Sequence, residues 1–160
     1  MKRLFPLFLT LLLVPALIGC DSGSDDDDSD GGNSGGSAIT ATVDGNALTF
    51  DTADATNGSG VFQVTGIRGN TTQITVRLNN PETGTFSVAP SDARVGIIYR
   101  EGTTPFQADG VTALSGASGS VTINVISDSE ASGTFSGTLV NVSNPQQTIS
   151  VTNGEFDVTF

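Results

Sequence analysis

The sequence predicts an all-β domain over residues 38–160, folded as a single antiparallel β-sandwich or a flattened up-and-down barrel of about eight to ten strands. Apolar and polar residues alternate along short segments that are rich in Thr, Val, Ile and Phe, and none shows a helical period. Turn residues recur about every ten positions. Alternation buries one face of each strand. The predicted core residues are Phe62, Ile74, Val76, Phe86, Ile97, Ile123, Phe135, Phe156 and Val158.

The first half of this domain predicts two strand pairs and one short strand. Ile39, Ala41 and Val43 alternate up to Asp44 and Gly45, a pair typical of a two-residue hairpin turn, and the returning strand carries Leu48 and Phe50. Residues 51–60 are polar and contain glycine, so we expect a loop there. The second pair runs from Phe62 and Val64 through a break at residues 68–70 to Ile74, Val76 and Leu78. A short strand at Phe86 and Val88 follows Pro81.

The second half predicts five more strand segments. Val95, Ile97 and Tyr99 share a face, and a turn at residues 102–105 leads to Phe106 and Ala108. Residues 110–120 are rich in small side chains and predict a loop or a weak edge. Val121, Ile123 and Val125 alternate, then a turn at residues 128–131 returns toward Phe135 and Leu139. The last strand starts at Ile149 and Val151, passes Asn153 and Gly154 as a bulge or turn, and continues to Phe156, Val158 and Phe160.

The N-terminal residues predict an export signal. Lys2 and Arg3 precede an apolar run of about 15 residues, which is shorter than the about 20 that a membrane-spanning helix needs. The run ends at Leu17, Ile18, Gly19 and Cys20, which resemble the lipobox of bacterial lipoproteins. That resemblance implies cleavage before Cys20, a diacylglyceryl group on its sulfur, and an acylated new amino terminus. Several acyl chains give stable anchoring, whereas one is marginal.

The chain therefore divides into three predicted parts: a signal peptide (1–19), a lipidated cysteine with a tether (20–37) and the all-β domain (38–160). The predicted partner at the N-terminus is a membrane, contacted through the lipid on Cys20. We expect the protein in the cell envelope, anchored to the outer membrane. The acidic run after Cys20 resembles a surface-export signal of some Gram-negative groups, whereas aspartate at position 21 resembles an inner-membrane retention signal of others, so the leaflet stays open.

The tether, residues 21–37, contains six aspartates and no apolar side chain. A segment without apolar surface cannot offset the entropy of ordering, so we expect it to be disordered. Asp26, Asp28, Asp30 and Gly31 match the first half of a calcium-binding loop. The second half does not match, because Ser37 stands where a bidentate glutamate belongs. A charged spacer is therefore favoured over the calcium alternative, and we predict no other metal site and no cofactor.

The net charge limits the possible partners. Without Lys2 and Arg3 the chain has four arginines and 17 acidic residues, a formal charge of −13. Nucleic-acid binding depends on clustered basic residues, so nucleic acid is excluded as a partner. The four arginines, which we expect in ordinary surface ion pairs, are Arg68, Arg77, Arg94 and Arg100.

The residue types limit the possible chemistry. Beyond residue 3 the chain has no lysine, and it has no histidine at all, so the usual activated serine nucleophiles cannot be assembled. A carboxylate pair could still hydrolyse a glycosidic bond. Most of the candidate carboxylates stand at predicted turns, where aspartate bonds to the local backbone, so we predict a non-enzymatic protein. These candidates are Asp44, Asp51, Asp54, Asp109, Asp128, Glu130 and Asp157.

The domain contains three short motifs, in this order: ATVDG at residues 41–45, SGTFSG at 132–137 and NGEFDV at 153–158. Together they resemble a family of uncharacterised Gram-negative bacterial lipoproteins with a C-terminal all-β domain of unknown function. The resemblance implies an envelope lipoprotein and no catalytic activity. We thus predict a lipid-anchored, non-catalytic binding or structural β-domain, with an envelope glycan or protein as a possible partner and an open oligomeric state. The alternatives are a carboxylate-dependent glycoside hydrolase and a small-molecule-binding barrel.

Overall fold

In the computed structural model, residues 37–112 and 114–160 are described, and they form strands and turns without a helix. The all-β prediction is confirmed. No helix in these residues has the length and hydrophobicity needed to cross a bilayer. The eleven strands, slightly more than predicted, are β1 (Ala38–Val43), β2 (Asn46–Thr49), β3 (Thr52–Gly58), β4 (Val61–Arg68), β5 (Thr72–Asn79), β6 (Gly84–Ser87), β7 (Val95–Glu101), β8 (Thr104–Asp109), β9 (Ser118–Ile126), β10 (Glu130–Asn141) and β11 (Thr148–Thr159).

The strands form one antiparallel sheet that curls into a half-barrel. Its strand order is β2-β1-β11-β10-β8-β7-β5-β4-β3, and β9 also pairs with β10 and carries β6 on its other edge. The two end strands, β2 and β3, are consecutive in the chain. At their junction the Phe50 N–H donates to Ile39 of β1 (3.1 Å), and the Asp51 N–H donates to Ile67 of β4 (2.8 Å). The continuous segment from β2 to β3, bent at Phe50 and Asp51, therefore forms both end strands of the sheet.

The apolar side chains that alternate along the strands fill the inside of this curl. Phe62, Val64, Ile97, Val121 and Val158 have no exposed surface, and every predicted core residue except Phe86 is buried. Phe86 is only half-buried, because β6 lies at the sheet margin and its ring packs against the edge of the core. The interior is filled by side chains.

The loop predicted for residues 51–60 is wrong. Residues 52–58 form β3, which pairs with β4 from Thr52 opposite Ile67 to Gly58 opposite Val61. The inward-facing residues of β3 are the small Ala53 and Ala55, which give little hydrophobic signal. Backbone pairing with β4 supplies the strand's stability, so its polar composition does not prevent it.

Bulges explain where strict alternation fails. In β9 the pairing to β10 skips Asn124, so Ile123 faces the core while Val125 is 41% exposed. In β11 the predicted irregularity at Asn153 and Gly154 is a bulge, with Asn153 at φ 49°. One extra residue there lets Val151 and Phe156 point to the same side although their spacing is odd.

The two late motifs meet as a reciprocal pair of glycines and phenylalanines. In the register of β10 and β11, Gly133 lies opposite Phe156 and Phe135 lies opposite Gly154. Each ring covers the glycine across from it: a Cβ on Gly133 would lie 2.7 Å from the Phe156 ring, and one on Gly154 would lie 2.5 Å from the Phe135 ring. We call these four residues the Gly–Phe lock. Only hydrogen at the glycine positions lets both rings lie flat on the strands.

Candidate functional site

A cleft opens where β2 separates from β4, at the end of the sheet that carries the β1–β2 turn. It has a volume of about 460 Å³. One wall is the β1–β2 hairpin, with Asp44, Asn46, Ala47 and Leu48. The facing wall carries Arg68 of β4, Tyr99 and Glu101 of β7. We call this the β2 cleft. Its volume falls within the range of small-ligand sites.

The hairpin wall is held in place by its turn. Asp44 and Gly45 have φ values of 46° and 81°, which the two central residues of a primed hairpin turn require. The Asp44 carboxylate accepts a hydrogen bond from the Ser150 N–H (2.7 Å), while the Asp44 N–H donates to the Ser150 carbonyl (2.9 Å). These bonds fix the hairpin on β11.

Three charged side chains surround the cleft without pairing to one another. Among the described residues Arg94 forms an ion pair with Glu82, and the Arg94 guanidinium also lies 4.4 Å from the centre of the Phe86 ring. Arg68, Asp44 and Glu101 have no ion-pair partner within 4.0 Å in the part of the chain that the structure describes. The charges of Arg68 and Glu101 are therefore directed to solvent or to whatever enters the cleft, whereas the Asp44 carboxylate also accepts a hydrogen bond from the Ser150 N–H.

Tyr99 is the only tyrosine of the chain, and its side chain is 4% exposed in the wall of the cleft. Burial raises the pKa of Tyr99 above 10.0; Glu101 raises it further, Arg68 opposes this, and Asp44 adds a smaller increase. Since the folded pKa lies above that of the unfolded chain, the neutral phenol contributes stability below about pH 10. That contribution is lost as the pH rises through the folded pKa.

We therefore expect the tyrosinate absorbance of the native protein to appear at higher pH than that of the urea-unfolded chain. Because the chain has one tyrosine and no tryptophan, the signal belongs to Tyr99 alone. Glu101→Gln should move the native midpoint downward, since a neighbouring negative charge is removed. A native midpoint at or below the unfolded one would contradict this placement of Tyr99.

A second depression of about 510 Å³ lies on the outer face of β9, β10 and β11. A row of residues crosses this face from strand to strand: Thr85, Thr122, Thr134, Glu155 and Thr40. The hydroxyl oxygens of Thr85 and Thr122 are 2.9 Å apart. This face offers many hydroxyl groups and one carboxylate, which suits hydration or hydrogen bonding to a polar ligand.

The carboxylates that the sequence analysis named as candidates do not lie together in the structure. Asp44 is the one that lines the β2 cleft, where it is joined by Glu101, which the sequence had not singled out. Asp51 accepts a hydrogen bond from the Gly69 N–H (2.7 Å) in the turn between β4 and β5, and Asp109 accepts one from the Thr112 N–H (2.7 Å) within its own turn. In the described residues no group of three His, Cys, Asp or Glu side chains could hold a metal ion. The lipobox residues, Cys20, and the calcium candidates Asp26, Asp28 and Asp30 lie outside the described residues.

The comparisons with known proteins identify the domain but not its role. A family model with the description "Domain of unknown function (DUF6252)" matches residues 36–158. No curated protein and no solved structure matches the chain.

Proposed function

The chain belongs to the DUF6252 family, whose function is unknown, and we propose that it is a lipid-anchored lipoprotein of the cell envelope with a non-catalytic binding or structural β-domain. The observation that carries the anchor is the Leu17-Ile18-Gly19-Cys20 motif, which ends an apolar run behind two basic residues. An acidic tether of residues 21–37 then separates the lipid from the domain, and the outer membrane is the proposed location.

The non-catalytic role is supported by the character of the surface. The interior is filled by side chains, and the two depressions described above lie on the surface. Asp44 and Glu101 of the β2 cleft are exposed, whereas catalytic groups usually lie in a site from which water is excluded. Binding through polar and charged groups needs no such burial.

The anchor is tested by Cys20→Ser in the natural host. We expect the wild-type protein in the membrane fraction, with the mass of a processed, acylated polypeptide, and the variant in soluble form or with its leader uncut. Ser22→Ala, two residues further on, is the matched control and should fractionate like wild type. A Cys20→Ser variant of mature size that remains with the membranes would overturn the proposal.

A further inference from the structure

The outer edge of β2 is a strand edge without a partner strand among the described residues. β2 ends the strand order and pairs only with β1. The bond from the Phe50 N–H to the Ile39 carbonyl fixes which residues exchange hydrogen bonds with β1. In an antiparallel pair such residues alternate, so Leu48 and Asn46 also bond to β1. The backbone N–H and C=O groups of Ala47 and Thr49 therefore point away from β1.

The β2 cleft runs along this edge. Asn46, Ala47 and Leu48 all line it, although consecutive residues of a strand point to opposite faces. A cavity that touches three consecutive residues must follow the backbone edge between the faces. The cleft thus lies where another strand would pair with β2, and its far wall carries Arg68 and Glu101.

We propose that the β2 cleft binds an extended basic peptide segment of a partner protein, which pairs as a short strand with the free edge of β2. Strand addition uses backbone hydrogen bonds for affinity and side-chain contacts for selection. Here the free groups of Ala47 and Thr49 supply the backbone contacts. This inference deepens the binding role proposed above and does not depend on the lipid anchor.

The charges around the β2 cleft favour a basic peptide as its occupant. Asp44 and Glu101 outnumber Arg68 in the cleft, and residues 37–160 contain 11 acidic residues and four arginines, a formal charge of −7. Such a surface attracts basic segments and repels acidic ones. The acidic tether of this chain and a second copy of the domain are both disfavoured as occupants for the same reason.

The cleft also lies at the far end of β1 from the point where the tether joins. Ser37 and Thr159 exchange hydrogen bonds through the Ser37 hydroxyl, which places the start of the domain beside the end of β11. The six residues of β1 lead from there to Asp44, a distance of about 20 Å at about 3.3 Å per residue. The cleft and the tether junction therefore lie at opposite ends of β1.

The test titrates the full chain, kept in detergent, with short blocked peptides while recording Tyr99 emission and heat. The probe alternates lysine and valine; one control replaces lysine by glutamate, and another methylates the backbone nitrogens. We expect the basic probe to bind at least about tenfold more tightly than the acidic one, and backbone methylation to cost a further factor of about ten or more. Equal binding of the two charge types, or indifference to backbone methylation, would overturn the proposal.

Two substitutions of Ala47 locate the contact. Ala47→Pro removes the free N–H and should lower affinity for the basic probe about tenfold or more, whereas Ala47→Val keeps the N–H and should change it by less than about threefold. Thermal unfolding confirms that both variants are folded; should Ala47→Pro not fold, the methylated probe tests the same bond on the wild-type chain. Equal affinity of the two folded variants for the basic probe would contradict strand addition at β2. A dimer of the chain that persists in the presence of the probe would also contradict it. Cys20→Ser should bind the probe like wild type, so failure of the anchor and failure of the cleft give different results.

Discussion

Gly133→Ala is expected to destabilise the domain by about 3 kcal/mol, a large part of the about 5–15 kcal/mol that holds a typical domain folded. The added methyl would overlap the carbonyl oxygen of Thr122 on β9 and lie 2.7 Å from the Phe156 ring. Both neighbours are fixed, the first as backbone and the second because Phe156 is 1% exposed. Urea unfolding, followed by circular dichroism, measures the effect.

A loss of stability on Gly133→Ala would be informative, because glycine usually weakens a strand and its replacement would otherwise be expected to stabilise the domain. Gly58→Ala in β3 is the matched control: nothing lies within 4 Å of its added Cβ. There the substitution should be neutral or should stabilise by up to about 1 kcal/mol, since it restricts the unfolded chain. Equal effects at the two positions would mean that the Gly–Phe lock does not constrain the sheet.

Phe156→Ala should cost about 3–5 kcal/mol, the usual range for truncating a buried phenylalanine. The ring contacts Phe62 at a centroid separation of 5.6 Å and covers Gly133 on the neighbouring strand. Its removal leaves a cavity between the strand backbone and a fully buried aromatic ring, and backbone pairing on both sides limits collapse. Thermal and urea unfolding should both show the loss.

Phe160→Ala is the companion measurement. Phe160 also approaches Phe62, at 6.3 Å, but it is 42% exposed. Truncation should cost only about 1 kcal/mol, in line with one exposed aromatic contact. If the two variants lost similar stability, the core would not be centred on the inward face of β11.

Regular alternation made most of the fold predictable. Ile74, Val76 and Leu78 alternate with polar residues, and they form β5 as expected. The Asp44-Gly45 hairpin and the irregularity at Asn153 were also found, because turn and bulge residues carry a backbone requirement that is visible in sequence. β3 was missed since its inward residues are alanines, and the exposure of Val125 was missed since no glycine marks the bulge in β9.

The candidate site was much less predictable. Asp44 was singled out, but as one of seven carboxylates, and Glu101 was not. The β2 cleft depends on how the chain bends at Phe50 and on which strand edge is left free, and both follow from the pairing of distant strands. The side chains of Asp44, Arg68 and Glu101 line the same cleft although these residues are far apart in the chain. No local sequence pattern predicts that these three residues lie around one cleft.

The pairing of β1 with β11 sets a limit on when the domain can finish folding. β1 is the first strand of the domain to be synthesised, yet Ile39 pairs with Phe156 of β11, the last strand of the domain. Ladders between such distant segments form slowly, because the intervening loop must close first. One edge of the first strand therefore stays unpaired until β11 has been made, and a chain cut short before β11 leaves both β1 and β10 with an unpaired edge.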